Sequence, residues 1–227
     1  VPAKIDDKPI SKEREDYLKT IYHHQQNEAP VRTTTIARSL GVEPASVTGV
    51  IKRLAELDLL EYQPYKGVTL TEEGERVALE VIRHHRLIEL YLIEALGYSW
   101  DEVHEEAERL EHAVSSLFIE RIADALGNPQ IDPHGSPIPT EQGEIEPRAG
   151  VALDAVRVGQ GGHIAQVDDD DPELLRYLGE LGIRPGAEVA VLDIAPFGGP
   201  IRLNVSGKSQ VIGPEAASHV YVRLHTV

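Results

Sequence analysis

Residues 33–52 read TTTIARSLGVEPASVTGVIK, and this stretch decides the fold of the first third of the chain. With Thr33 counted as one, Ala37 falls at position 5, Gly41 at 9, and Val47 and Val50 at 15 and 18. A helix-turn-helix needs that pattern. The small residue lets two helices approach, glycine permits the tight turn, and apolar residues on the second helix lock the crossing. Pro44 suits the first turn of the second helix, where its missing N–H costs nothing. Downstream, 59–63 and 68–70 predict two short strands around the turn 64–67, a wing directly after the second helix. Upstream, residues 11–27 predict a helix with Leu18, Ile21 and Tyr22 on one face. Asp16 lies almost opposite that face, available to another domain.

Helical pairs also occur as plain packing units, and the attached wing is what points to double-stranded DNA. Arg32, Thr33 and Thr34 would meet phosphates at a helix N-terminus. Pro44, Ala45, Ser46, Thr48, Lys52 and Arg53 lie on or near the groove-facing side of the second helix. At the wing tip, Lys66 is placed for a phosphate, although Tyr65 and Lys66 also suit an ordinary turn.

The formal net charge of −16 argues against a polyanion partner only when taken as one number. Residues 1–71 carry ten basic and ten acidic side chains, residues 72–150 six and eighteen, and residues 151–227 six and ten. The first third is thus free to approach DNA. Most of the negative charge sits in the middle, where bound cations would offset its self-repulsion. There is no cysteine, so disulfides, thiolate zinc sites and iron–sulfur ligation are excluded. No secretory leader opens the sequence and no apolar run approaches the roughly 18 residues of a membrane span, so a cytoplasmic protein without membrane contact is expected. The absence of methionine suggests a processed or trimmed start.

Thr71 can cap a long helix reaching about Leu96, with Glu72 and Glu73 favourable in its first turn. Ser99 with Glu102 reads as a capping box for a second helix, and a third is expected from about Ser115 to Leu126. Three amphipathic helices without a sheet suggest a helical layer of the kind that dimerises, and symmetric DNA readers need a homodimer to span two half-sites. On the second helix, His104, Glu108, Glu111 and His112 fall within an arc of about 100°. Val103, Ala107, Leu110 and Val114 occupy the neighbouring sector, so these donors flank the buried stripe. On the first helix His85 and Glu89 stand i, i+4 at the edge of a stripe of Val81, Ile88 and Leu92. Imidazole with carboxylate and no thiol suits a borderline-to-hard divalent metal. A solvated acidic face is the plain alternative for one helix, and the second His/Glu edge weighs against it.

Residues 128–150, with Pro129, Pro133, Pro137, Pro139 and Pro147, read as a linker. Beyond it, strands are expected at 154–158, 163–167, 188–194, 201–205, 210–212 and 219–224, with one helix at 173–181 after the acidic run 168–171. Such a run of short strands suggests a small barrel. His84 reads as a packed histidine, and His23, His24, His134, His163, His219 and His225 read as surface residues.

The order of these parts, with EDYLKTIY at 15–22, RHHRLIE at 83–89 and VHEEAERLEH at 103–112, resembles the diphtheria-toxin-repressor family of metal-activated transcriptional regulators. The resemblance implies a mainly α chain with β: an N-terminal winged helix-turn-helix (1–74), a helical metal-binding and dimerisation domain with its linker (75–149), and a C-terminal SH3-like β-barrel (150–227). It implies a principal metal site of Asp16, Glu108, Glu111 and His112. An ancillary site would use His85, Glu89 and His104 with Asp171 and Glu173 from the barrel. Asp16 and Glu108 stand where iron-responsive members carry methionine and cysteine, so the resemblance points to the manganese branch. Lys19 replaces a further carboxylate of manganese regulators. Mn²⁺ is the expected cofactor and Fe²⁺ the alternative, with Zn²⁺, Co²⁺ or Cd²⁺ able to occupy the same donors in vitro. The expected protein is a homodimeric transcriptional regulator, repressor or activator, on a pseudo-palindromic operator, controlling metal-homeostasis genes such as transporters. Two rivals stand beside it: a metalloenzyme, against which no nucleophile–base pair or cofactor motif appears, and a winged-helix sensor of a small molecule.

Overall fold

In the computed structural model, residues 10–169 and 171–225 are described. They divide into two compact units. One runs to His84 and includes Pro139–Ile145; the other comprises His85–Ile138 and the chain from Glu146 onward.

The first unit contains α1 (Lys12–Gln25), α2 (Thr33–Ser39), α3 (Pro44–Glu56), β1 (Leu60–Gln63), β2 (Gly67–Leu70) and the start of α4 (Glu72–Leu96). Its helices form because each offers one apolar stripe. Tyr17, Leu18 and Ile21 from α1, Ile36 and Ala37 from α2, and Val47, Ile51 and Leu54 from α3 share one core with Val77, Ala78 and Ile82 of α4. Gly41 takes φ +63° in the turn between α2 and α3, the left-handed region the motif reserves for glycine. The wing is an antiparallel pair running from Leu60↔Leu70 to Gln63↔Gly67. Thr71 caps α4: its hydroxyl accepts from Gly74 N at 3.1 Å and its carbonyl from Glu75 N at 2.8 Å. A cap of this kind contributes about 1 kcal/mol.

In the second unit the later part of α4 packs with α5 (Val103–Leu110) and α6 (Ser116–Ala125) around Leu87, Ile88, Leu92, Val103, Ala107, Ile119 and Ile122. The expected Ser99/Glu102 capping box is absent. The Ser99 hydroxyl donates to the Glu102 carboxylate at 2.5 Å, and α5 opens only at Val103. The physical reason lies in Trp100, which is drawn into the hydrophobic core of the C-terminal sheet and leaves residues 100–102 as a turn.

That sheet combines β3 (Val151–Ala152), β4 (Gly161–Val167), β5 (Glu188–Ile194), β6 (Ile201–Val205), β7 (Lys208–Ile212) and β8 (Val220–Leu224) in the antiparallel order β3-β8-β4-β5-β6-β7. With α7 (Pro172–Glu180) and α8 (Pro214–Ser218) it makes an SH3-like domain. Period-two burial is plain on β6, where Ile201, Leu203 and Val205 point inward. The strand expected at 154–158 is instead a single 3-10 turn, Leu153–Ala155. Leu153 and Val156 are both buried, and their separation of three residues matches a 3-10 turn and not a pleat.

The region 128–150 is also more than a linker. Asp132, His134, Ser136 and Ile138 are buried, while Pro139–Ile145 belongs to the first unit.

Candidate metal centre

In the first unit the residues expected at DNA lie on the outside of α2, α3 and the wing. Arg32, Thr34, Pro44, Ala45, Ser46, Lys52, Arg53 and Lys66 are exposed, and Thr33 and Thr48 are half-buried. The Ser46 hydroxyl donates to the Glu43 carbonyl at 2.7 Å, closing the first turn of α3. Arg53 pairs with Glu56 at 2.7 Å, both well exposed. Gly67 holds the wing close to the chain before α2. Its φ is +138°, and a Cβ there would lie 2.3 Å from the Val31 carbonyl oxygen. Asp16 is half-buried on α1.

In the second unit, α5 ends at Leu110, so His104 and Glu108 are helical while Glu111 is the C-cap and His112 lies in the following turn. Glu111 keeps right-handed helical angles, φ −54° and ψ −31°. Its side chain therefore continues the progression expected of a longer helix. His85, Glu89 and His104 converge. His85 Nε2 lies 3.0 Å from Glu89 Oε1 and 3.1 Å from His104 Nδ1, and Glu89 Oε1 lies 3.3 Å from His104 Nδ1. The other nitrogen of His85, Nδ1, is 2.5 Å from Glu111 Oε2. Glu108 Oε1 stands 3.9 Å from both His85 Nδ1 and His104 Nε2.

A second set meets Glu89 from its other side. Glu89 Oε2 is 3.7 Å from His134 Nδ1, which is 3.8 Å from Asp169 Oδ2, and Asp132 completes the group. Local chemistry explains the placement. Asp132 Oδ1 accepts from the backbone N–H groups of His134 and Ser136 at 2.8 and 2.9 Å, folding 132–136 into a tight turn. His134 O accepts from Val167 N at 2.9 Å, tying the turn to β4. Gly135 makes that approach possible: φ is +88°, and a Cβ would sit 2.1 Å from the Ala165 carbonyl oxygen. The His134 Nε2 lies 3.0 Å from the Trp100 carbonyl, which can only accept. Nε2 therefore carries the hydrogen, and in the neutral ring the lone pair is on Nδ1, facing the carboxylates.

The electrostatics match this crowding. Burial would raise the Glu89 carboxyl, but His85, His104 and His134 hold it well below the usual carboxylate range. Burial lowers His134 and His104, and in each the surrounding carboxylates win: His134 is held up to about 9 by Glu89 and Asp169, and His104 is raised mainly by Glu89. Asp132 is pushed up to about 7 by burial, only partly countered by Arg86, whose Nε is 3.4 Å away. Glu89 Oε2, Asp132 Oδ2 and His134 Nδ1 are buried without a hydrogen-bond partner among the described residues. Buried polar atoms without partners cost on the order of 1–3 kcal/mol each. A cation among them removes that penalty, so the donor set fits a divalent metal.

Two expectations change here. His134, read as a surface residue, is fully buried. The barrel carboxylate beside it is Asp169, whereas Asp171 caps α7 by accepting from Glu173 N and Leu174 N, and both Asp171 and Glu173 are exposed. Sequence reasoning missed Asp132 and His134 because prolines dominated the stretch. The usable signal was Asp132-Pro-His134, an Asx turn that carries an imidazole.

Three family models match the chain: "Iron dependent repressor, N-terminal DNA binding domain" over residues 10–68, "Iron dependent repressor, metal binding and dimerisation domain" over 71–140, and "FeoA domain" over 151–224. The iron-dependent repressor IdeR of Mycobacterium tuberculosis is 33% identical over 219 residues, 90% of this chain and 94% of the relative. The diphtheria toxin repressor of Corynebacterium efficiens is 32% identical over 193 residues, 79% of this chain and 82% of the relative. The chain belongs to the diphtheria-toxin-repressor family. A solved manganese-dependent transcriptional repressor in complex with manganese is 39% identical, with a TM-score of 0.88 over 93% of this chain and 100% of that one. Membership makes this diphtheria-toxin-repressor chain a metal-dependent transcriptional repressor and not an enzyme. Within it, the metal-binding match contains His85, Glu89, His104, Asp132 and His134, and the FeoA match contributes Asp169.

Proposed function

We propose that this chain is a manganese-activated, homodimeric, cytoplasmic repressor of metal-homeostasis genes. The observation that carries the reading is the donor chemistry. Every candidate ligand is a carboxylate or an imidazole, and the sequence contains neither cysteine nor methionine. Hard oxygen donors suit Mn²⁺, and the similarity to a manganese-dependent repressor supports the assignment. Asp16, Glu108, Glu111 and His112 would form the principal set, and His85, Glu89 and His104 the ancillary one. When bound, the ion supplies a fixed positive charge that these ligands must surround in one geometry.

Asp16 belongs to the DNA-binding part and the other three principal ligands to the helical part. Holding one ion among them would select one relation between the reading helix α3 and the dimer axis, with α3 copies about one DNA turn apart, roughly 34 Å. By linkage, DNA must then tighten ion binding by the factor with which the ion tightens DNA binding. Leu117 and Phe118 on α6, with Leu96 at the end of α4, are exposed apolar side chains in the part matched as a dimerisation domain, and they support a second copy as its partner.

Operator affinity measured by gel shift in chelator, Mn²⁺, Fe²⁺ and Zn²⁺ tests the reading. Mn²⁺ should restore the affinity that chelator removes, at least as well as Fe²⁺. Equal affinity in chelator and Mn²⁺ would overturn metal activation, and activation by Fe²⁺ alone would overturn manganese. Zn²⁺ is expected to bind tightly whichever ion activates, because raw affinity follows the Irving–Williams order.

A further inference from the structure

Three glycines lie inside helices among the described residues, and two of them have an internal reason. A Cβ on Gly74, in the first turn of α4, would sit 1.9 Å from the Leu59 carbonyl oxygen, and one on Gly179 of α7 would sit 3.0 Å from Arg184 Nη2. Gly49 has no such neighbour. It lies exposed in the middle of α3, and a Cβ there would meet no atom within 4 Å. Inside a helix glycine is less favourable than any residue but proline, because it gives up the most backbone freedom on folding. The fold would therefore gain from alanine at position 49, and nothing inside the chain asks for glycine.

At 100° per residue Gly49 falls within about 15° of the point opposite the buried Val47, Ile51 and Leu54. It marks the outermost line of the helix. Ala45 stands one turn before it, and Lys52 and Arg53 stand one turn after it, roughly 60° and 40° to either side. All three are exposed. The result is a notch with the Ala45 methyl at one end and two long side chains at the other, whose stems are apolar and whose tips are cationic. The match to an N-terminal DNA binding domain over residues 10–68 supplies the partner independently of the notch. In the major groove of that partner, the thymine C5-methyl is the apolar group a base pair presents.

We propose that Gly49 is a specificity-determining residue of the operator interface, its notch taking the C5-methyl of one thymine in each half-site. The inference rests on α3 being the reading helix. A side chain at position 49 would fill the volume that the methyl occupies, so the notch reads by shape. Lys52 and Arg53 act differently: a cation that meets phosphate strengthens binding to every sequence, whereas the notch favours only sequences that carry the thymine.

Gly49→Ala adds one methyl to the protein, and deoxyuridine in place of thymidine removes one from the DNA, so the two changes should compensate. The natural full-length chain first selects its operator from randomised duplex DNA in the presence of Mn²⁺, Fe²⁺ or Zn²⁺. Affinities are then read by fluorescence anisotropy. Gly49→Ala should move the unfolding equilibrium roughly two- to fivefold toward the folded state. It should also weaken binding to the selected operator about tenfold, the usual effect of one wrong base pair, and leave binding to unrelated duplex unchanged. Deoxyuridine at one thymine of the half-site should recover most of that loss in the variant while weakening the natural chain. Unchanged operator affinity in the variant, an equal loss on unrelated duplex, a half-site without thymine, or a loss that no deoxyuridine position relieves would each overturn the proposal. A natural chain that selects no sequence would instead overturn the reading of α3 on which it rests.

Discussion

The carbonyl of Trp100 accepts the hydrogen of His134 Nε2 at 3.0 Å, and the Trp100 indole donates in return to the Pro133 carbonyl at 3.1 Å. The ring centroids of the two residues are 5.2 Å apart. One aromatic residue thus sets the tautomer, height and tilt of a candidate ligand 34 positions further on. Trp100→Phe keeps the ring but loses the Pro133 bond. It should weaken Mn²⁺ binding by roughly 10–100-fold, the usual effect of disturbing an outer partner, while the metal-free fold persists. Calorimetric titration reads this, and unchanged affinity would remove Trp100 from the centre.

The pH response follows from Asp132 and His134. Both are raised in the folded chain, to about 7 and about 9, above ordinary values near 3.8 and 6.5. Folding of the metal-free protein therefore takes up protons. Its stability should fall as pH rises from about 4 through 7, where Asp132 ionises, and again from about 6.5 through 9, where His134 loses its proton. Ion binding needs both groups deprotonated, so Mn²⁺ affinity should rise over the same interval. Proton release, measured calorimetrically in buffers of different ionisation heat, checks the sign, and net proton uptake on binding would contradict it.

Gly135→Ala places a methyl 2.1 Å from the Ala165 carbonyl oxygen at a φ of +88°. The turn must move away from β4, at a cost of about 1–3 kcal/mol. A lower melting temperature together with weaker ion binding is expected. If the variant melts normally, the close approach of turn and strand is not needed.

Lys52→Ala on the exposed face of α3 should weaken operator binding and lower the slope of log affinity against log salt by about 0.9 for one lost phosphate contact. Glu56→Gln, by releasing Arg53 from its 2.7 Å partner, should raise non-specific DNA affinity slightly. A salt series with both variants separates the contributions, and an unaltered slope for Lys52→Ala would place that side chain off the backbone.

Leu117→Glu with Phe118→Glu introduces charge on the exposed apolar shoulder of α6. Sedimentation should show the monomer at concentrations where the natural chain is dimeric, with operator binding lost in parallel. A dimer that persists would move the interface elsewhere.

Legibility in the sequence followed periodicity. The helix-turn-helix, the wing and α4 were readable because their stripes repeat at 3.6 or 2 and their caps are local. His85, Glu89 and His104 were readable for the same reason, since each sits beside a stripe. Asp132 and His134 were not, because the burial of an aperiodic, proline-rich turn is decided by Trp100 and β4, far away in the chain. Asp169 was displaced by Asp171 in the sequence reading because an acidic run has no period, and the competing role of Asp171 as the cap of α7 shows only once the helix start is known. Trp100 itself overrode the Ser99/Glu102 signature: a large apolar side chain entering a core outweighs a local cap.

The turn at 132–136 has a further meaning for the life of the molecule. Without a cation this segment keeps two buried polar atoms, Asp132 Oδ2 and His134 Nδ1, without hydrogen bonds, so it is the weak point of the second unit. An ion held at one hundred times its dissociation constant adds about 2.7 kcal/mol to the folded state, which lowers the population of any opened form roughly a hundredfold. Residues 89, 132, 134 and 169 come from distant points of the chain, and joining them acts as a reversible staple. Proteases attack what opens, so scarcity of the ion should shorten the survival of the repressor as well as silence it. Pulse-chase decay in cells with and without chelator would show whether the regulator's abundance, and not only its activity, follows the supply of metal.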